Sequence, residues 1–310
     1  MKYTNSAKEI KFSSFKEFIE FIWPLDKIHQ NDFKDYIFRG EREEFSSFLP
    51  SILRGSVIEN IVNKIPLFKG LHIDSSRLIQ AEFSLIRDFY IQSDLEGMNI
   101  PEINMLRSNI TEQFVYNFDE HLSYIFNEKW LPEELYEITG IAQHYGVPTR
   151  LIDWSFNLTT ALFFAASGVL QKYDRTQYKT IKLDENNDEN LFFIIWAFNI
   201  ENIKIRSKEK IKLIRPRYAS NSNITAQKGL FTIQNFVSIE DDKVPFDLFV
   251  DNKVEMTDNQ KPALYRFKIP QNNADEVLLY LERIGITEKT LFPGFEGIVK
   301  YINRKHNIRY

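Results

Sequence analysis

Residues 142–167 read AQHYGVPTRLIDWSFNLTTALFFAAS, and the stretch changes character halfway along. In the rear half, Leu158, Ala161, Leu162 and Ala165 follow the i, i+3, i+4, i+7 spacing of a helix that buries one face. Phe163 and Phe164 widen that face, and the two alanines allow close packing onto a sheet. The front half places His144, Arg150, Asp153 and Trp154 around Gly146 and Pro148. If 151–154 is extended, Arg150 and Ile152 share one face, and Leu151 and Asp153 the other. The two charges then do not pair with each other, and each needs another partner. Asp153 stands just ahead of the helix, where the dipole favours its ionised form. Ser155 or Asn157 would serve as N-cap.

On the N-terminal side the pattern is helical for a long way. SSFKEFIEFIW (13–23) carries Phe15, Phe18, Ile19 and Ile22 at helical spacing, with Pro24 after it. DYIFRGE (35–41) reads as a short strand ended by Gly40, and SSFLPSILR (46–54) as a turn into an apolar patch. From about 56 to 143 helices dominate, clearest in SRLIQAEFSLIRDFYIQ (76–92) and LPEELYEITGIAQHYG (131–146). Pro132 sits where a helix start tolerates a missing N–H. This region is expected to be a helical insertion.

On the C-terminal side strands return. Residues 173–191 are polar and read as a loop. LFFIIWAFNI (191–200) is a continuous apolar run, as in a buried strand. ITAQKGLFTIQNF (224–236) and ALYRFKIP (263–270) also read as strands. NADEVLLYLERIGI (273–286) is a helix, and FPGFEGIVKYINRKH (292–306) opens on a turn and ends helical. Helices first and strands later favour an α+β fold in a single domain over 1–310.

Composition narrows the chemistry. The chain of 310 residues has no cysteine, which excludes disulfides and thiolate metal sites. The remaining histidines, His29, His72, His121 and His306, lack metal-ligand spacing, so no metal is expected. A net charge of −4 gives no general polyanion surface, although 202–217 (NIKIRSKEKIKLIRPR) is locally basic. No run of about 18 apolar residues is present, so no membrane partner is expected, and without a hydrophobic signal core the expected location is the cytoplasm.

Four motifs resemble one family. YIFRGE (36–41) resembles the Phe-Arg-Gly signature of the FRG domain. QHYGVPTRLIDWSFNLTTALFFA (143–165) resembles that family's long central motif. TAQKGLFT (225–232) and LFPGFEGIVKYI (291–302) resemble its later Gln-x-Gly-x-Phe and Phe-Pro segments. Gly294 and Glu296 stand where the closing motif would carry two aspartates, and Ser155 where it would carry Thr.

A second similarity links the same segments to the ADP-ribosyltransferase fold, with its split β-sheet core. That resemblance implies NAD as substrate, bound along Arg39, Gly40 and the segment bearing His144, Tyr145, Arg150, Asp153 and Ser155. It implies a role in ADP-ribosyl transfer or NAD hydrolysis on a protein, a nucleic acid or water, and a toxin or phage-defence effector as the cellular setting.

The residues themselves fit parts of this chemistry. The Arg39 fork suits a diphosphate or a carboxylate, with a salt bridge to Asp153 or Glu41 as the alternative. Gly40 would let a ligand approach the backbone. His144 can orient a hydroxyl or move a proton near neutral pH. Tyr145 can stack on a base or fill a core. Gln227 can donate to and accept from a ribose. A carboxylate beside the glycosidic bond stabilises an oxocarbenium-like state, for which Glu296 has the chemistry and Gln227 the strand position. The alternative function is a non-catalytic module that binds a nucleotide or a protein in the same cleft.

Overall fold

The computed structural model describes residues 7–24, 32–44, 48–64, 69, 75–108, 130–173, 177–180, 191–201, 210–234, 244–254 and 261–306. His29, His72 and His121, most of the 173–191 segment and the first half of the 202–217 segment lie outside the described residues.

Among the described residues seven strands form one sheet in the order β1-β7-β4-β2-β3-β6-β5. They are β1 (Ala7–Lys11), β2 (Tyr36–Glu41), β3 (Ile152–Ser155), β4 (Phe192–Asn199), β5 (Ile211–Ile214), β6 (Gly229–Gln234) and β7 (Leu264–Pro270). Only the β1–β7 pairing is parallel. The fold is therefore mixed α/β, with a mostly antiparallel sheet that joins both ends of the chain. β4 is buried along its whole length, as its unbroken apolar run predicts.

Between β2 and β3 the described chain is helical: α1 (Phe15–Ile22) precedes β2, and α2 (Gly55–Lys64), α3 (Ser75–Leu95), α4 (Asn104–Ser108) and α5 (Tyr136–His144) follow it. α6 (Leu158–Lys172) comes after β3, α7 (Ser222–Gln227) before β6, and α8 (Phe246–Lys253) before β7. α9 (Ala274–Arg283), α10 (Glu288–Leu291) and α11 (Phe295–His306) close the chain.

Alternation along the strands builds a core on each face. On one face Tyr36, Phe38, Phe193, Ile195 and Phe267 meet α1, α6 and α9, including Leu158, Ala161, Leu162 and Ala165 of the opening motif. On the other, Ile37, Ile194, Trp196, Phe198 and Trp154 meet Phe48 and the α8 residues Phe246 and Phe249. A third cluster packs α3 and α5 onto Leu151, Ile214, Phe231 and Ile233.

The sheet is nearly divided in two. β2 matches β4 through six residue pairs and β3 matches β6 through four, but β2 and β3 share only Phe38 and Ser155. Beyond that pair the half-sheets part.

Two expectations are corrected. The strand expected over 224–236 begins only at Gly229, because 222–227 is a helix capped by the Asn221 side chain, which accepts from the Ile224 N–H at 3.0 Å. The residue that turns the chain out of that helix is Lys228, at φ 49°. Gly40 does not end β2, which runs through Glu41.

Candidate functional site

Arg39 stands where the half-sheets separate. Its Nη1 donates to both the backbone oxygen and the Oδ2 of Asp153, each at 3.1 Å, so a side chain does the work that ladder bonds do elsewhere. Its Nε donates to Oε1 of Glu41 at 3.3 Å, and Trp196 Nε1 donates to Oε2 of the same carboxylate at 3.0 Å. The salt-bridge alternative thus holds with both partners at once. Burial works against the Arg39 charge, but the two carboxylates outweigh it and hold the guanidinium above the ordinary arginine range. Arg39 Nη2 makes no hydrogen bond among the described residues, and the side chain stays 17% exposed. One arm of the fork is therefore open to a ligand.

Asp153 is held from its other side. Gln143 Nε2 donates to Oδ1, and the Thr149 hydroxyl donates to Gln143 Oε1. The Asp153 side chain is nevertheless 55% exposed.

Two cavities meet at Arg39 and Asp153. The first, of about 580 Å³, is lined by Arg39, Gly40, Glu41, His144, Asp153, Ser155 and Gln227, with Phe164 and Phe292 at an edge-to-face contact of 5.9 Å. The second, of about 530 Å³, lies behind Arg39, Arg54, Gln143 and Asp153, which line both. Arg39 and His144 share one cleft, as do Gln227 and two carboxylates.

His144 ends α5. Burial pushes its pKa below the usual histidine value, while Asp153 and Glu296 pull it up and Lys300 adds to the depression. The neutral imidazole favoured at pH 7 can accept a proton. Gln227 reaches α10 by donating from Nε2 to the Leu291 carbonyl at 3.1 Å, so its amide oxygen is the part left for a ligand.

Other expected site residues fall elsewhere. Arg150 is 2% exposed and lines neither cavity; its Nε pairs with Glu82, whose Oε1 also accepts from the Arg150 N–H at 2.8 Å. It is part of the core, and its placement as a ligand contact is corrected. Gly40 borders the cleft, but a Cβ there would lie 1.9 Å from the Ala161 carbonyl oxygen. The close approach that needs glycine is to α6, not to a ligand. The Ser155 hydroxyl is spent on structure: it donates to the Gln227 carbonyl at 2.7 Å and accepts from the Asn157 N–H at 2.9 Å. Tyr145 is 65% exposed, stacks on Phe89 at 6.5 Å and lines neither cavity. Glu296 also lies outside the cleft wall and pairs with Lys300 at 2.6 Å one turn along α11. Gly294, in the place of an aspartate, sits at φ +104°, a conformation that suits glycine.

Glu41 joins the cleft as well as pairing with Arg39. Its alternation with Arg39 on β2 was the available signal that both face the same space. Among the described residues no group of three or more His, Cys, Asp or Glu is placed to hold a metal ion, and no helix is long and apolar enough to cross a membrane.

In this mixed sheet Arg39 of β2 is bonded to Asp153 of β3. Residues 34–174 match the model of the FRG domain family. The match takes in both the YIFRGE strand and the central motif; the 225–232 and 291–302 segments lie beyond it. No curated protein and no solved structure matches the chain.

Proposed function

We propose that the chain binds NAD and breaks its nicotinamide–ribose bond, passing ADP-ribose to an acceptor or to water, in the manner of an ADP-ribosyltransferase. The observation that carries this reading is the open Nη2 of Arg39 at the mouth of a cleft that also holds His144, Gln227 and Asp153. In this reading Arg39 holds the pyrophosphate. The Phe164 and Phe292 rings offer faces for a planar base. The bond from ribose C1′ to the ring nitrogen breaks with its electron pair moving to nicotinamide, which leaves neutral. Asp153, rather than Glu296, is the exposed carboxylate in the cleft and stabilises the positive charge that develops on the ribose. The acceptor oxygen then bonds C1′, and neutral His144 takes its proton. A toxin or phage-defence role belongs to the same proposal and rests on the family resemblance.

The second reading, a nucleotide-binding module without turnover, is favoured by one observation: both Asp153 oxygens already accept hydrogen bonds, from Gln143 and Arg39. One experiment separates the two. Purified protein is incubated with NAD, and both bound nucleotide and free nicotinamide are measured. Release of nicotinamide that is lost in Arg39→Ala supports the enzyme. Binding without release supports the module. No binding of NAD or another dinucleotide overturns both.

A further inference from the structure

The two cavities that meet at Arg39 have different walls. The His144 cleft is aromatic, with Phe38, Trp154, Phe164, Phe231 and Phe292. Among the described residues the second cavity has no aromatic lining residue. Its wall is aliphatic, formed chiefly by Leu49, Val57, Ile61, Leu85, Val147 and Ile152. Its polar end carries two guanidiniums, Arg39 and Arg54. Arg54 is anchored by donating from Nε to the Leu49 carbonyl at 3.3 Å. Among the described residues Asp153 is the sole carboxylate in this lining, and its two oxygens are turned to Gln143 and Arg39.

An aliphatic slot offers no ring for a nucleobase to stack on, and a cationic end with a spare guanidinium arm offers nothing to a cation. Both features suit a flexible hydrocarbon chain with an anionic head. We propose that this cavity binds an aliphatic chain ending in a carboxylate, with the head on Arg39 Nη2 and Arg54 and the tail along Val57, Ile61 and Leu85. Two sources share this chemistry, a free fatty acid and a peptide C-terminus with a terminal aliphatic residue. A volume of about 530 Å³ is within the range of small-molecule sites. Because Arg39 also borders the His144 cleft, a carboxylate here and a ligand in that cleft draw on the same guanidinium, which ties the two cavities together.

The tail of the site stands apart from the NAD cleft, since Val57 and Asn60 line this cavity and not the His144 cleft, while Arg39 is common to both, so the test is run without nucleotide and its variants alter only the tail. The test is calorimetric titration of the full chain with octanoate, octanol, and a peptide ending in leucine with either a free or an amidated C-terminus. Saturable octanoate binding is expected, with octanol weaker by about tenfold or more because it lacks the charged head. Binding of the free-acid peptide, but not the amide, assigns the peptide source; octanoate alone assigns the fatty acid. Val57→Trp fills the slot from its packed side and Asn60→Trp from its exposed rim, and each is expected to abolish binding. Should Val57→Trp fail to fold, the rim variant and the octanoate–octanol pair decide. Octanoate affinity weaker than about 1 mM, equal binding of octanol, or undiminished binding in folded Asn60→Trp overturns the proposal.

Discussion

Arg150 and Glu82 are 68 residues apart in the chain and both lie in the interior. Trp130 Nε1 also donates to this carboxylate, at 2.9 Å. A charge pair taken out of water contributes little net stability, but removing one member leaves the other without its compensation. Glu82→Leu is therefore expected to lower stability by about 3–5 kcal/mol, and Glu82→Leu with Arg150→Met to regain most of it. Urea titration of the single and double variants measures this, and equal losses in both would disprove the pairing argument. Alternation had required a partner for Arg150 other than Asp153, and that much was legible. The partner's identity was not, because nothing local in α3 marks Glu82 among its many polar residues. His144 carries a second prediction at this scale. Its folded pKa is depressed mainly by burial, so the unfolded chain takes up the proton first as pH falls. Stability is full above about pH 6.5 and declines as pH drops from there through the lower folded value. An imidazole titration followed by NMR should give a midpoint below 6.5, and His144→Gln should remove that part of the pH dependence. A midpoint at or above the free value would contradict the burial argument.

Among the elements, those with strong periodic or continuous apolar patterns were legible: α1, α3, α6, α9, β4 and β7 fall where spacing puts them. Those that escaped are short or half polar. β1 is AKEIK, an edge strand with its apolar signal confined to Ala7 and Ile10, and β5 is four residues inside a basic run. α7 was hidden because SNITAQ has little helix propensity, and what identifies it is the Asn221 cap three residues ahead of Ile224. Three of these elements are joined by one hydroxyl. Ser155 ends β3, accepts from the backbone N–H of Asn157, the α6 N-cap, and donates to the last residue of α7. Ser155→Ala leaves the Gln227 carbonyl and the Asn157 N–H without that partner, in a position only 4% exposed. The expected cost is about 1–3 kcal/mol, with Ser155→Thr close to wild type because it keeps the hydroxyl. Thermal unfolding of the two variants compares them directly, and an Ala variant as stable as the Thr variant would rule the hydroxyl out as a joint.

At the scale of the whole molecule, the sheet is two half-sheets held edge to edge. One backbone pair, Phe38 with Ser155, and the bonds from Arg39 to Asp153 cross the seam, while α6 packs beneath it. This seam explains why the cleft exists: where ladder bonds stop, strand edges diverge and leave space that a side chain spans. It was only half visible beforehand, since YIFRGE marks the arginine but register between strands 114 residues apart is set by tertiary packing. It follows that Arg39 has a mechanical role separable from any ligand. Arg39→Met keeps the length of the stem and removes the fork, so the β3-β6-β5 half should open locally more often than the β1-β7-β4-β2 half. Native-state hydrogen exchange reads this in the absence of any nucleotide. Faster exchange confined to amides of β3 and β6, with β4 and β7 protected as before, is the expected pattern. Uniform acceleration would mean that Arg39 only contributes to global stability, and unchanged exchange that the single backbone pair and α6 hold the seam without it.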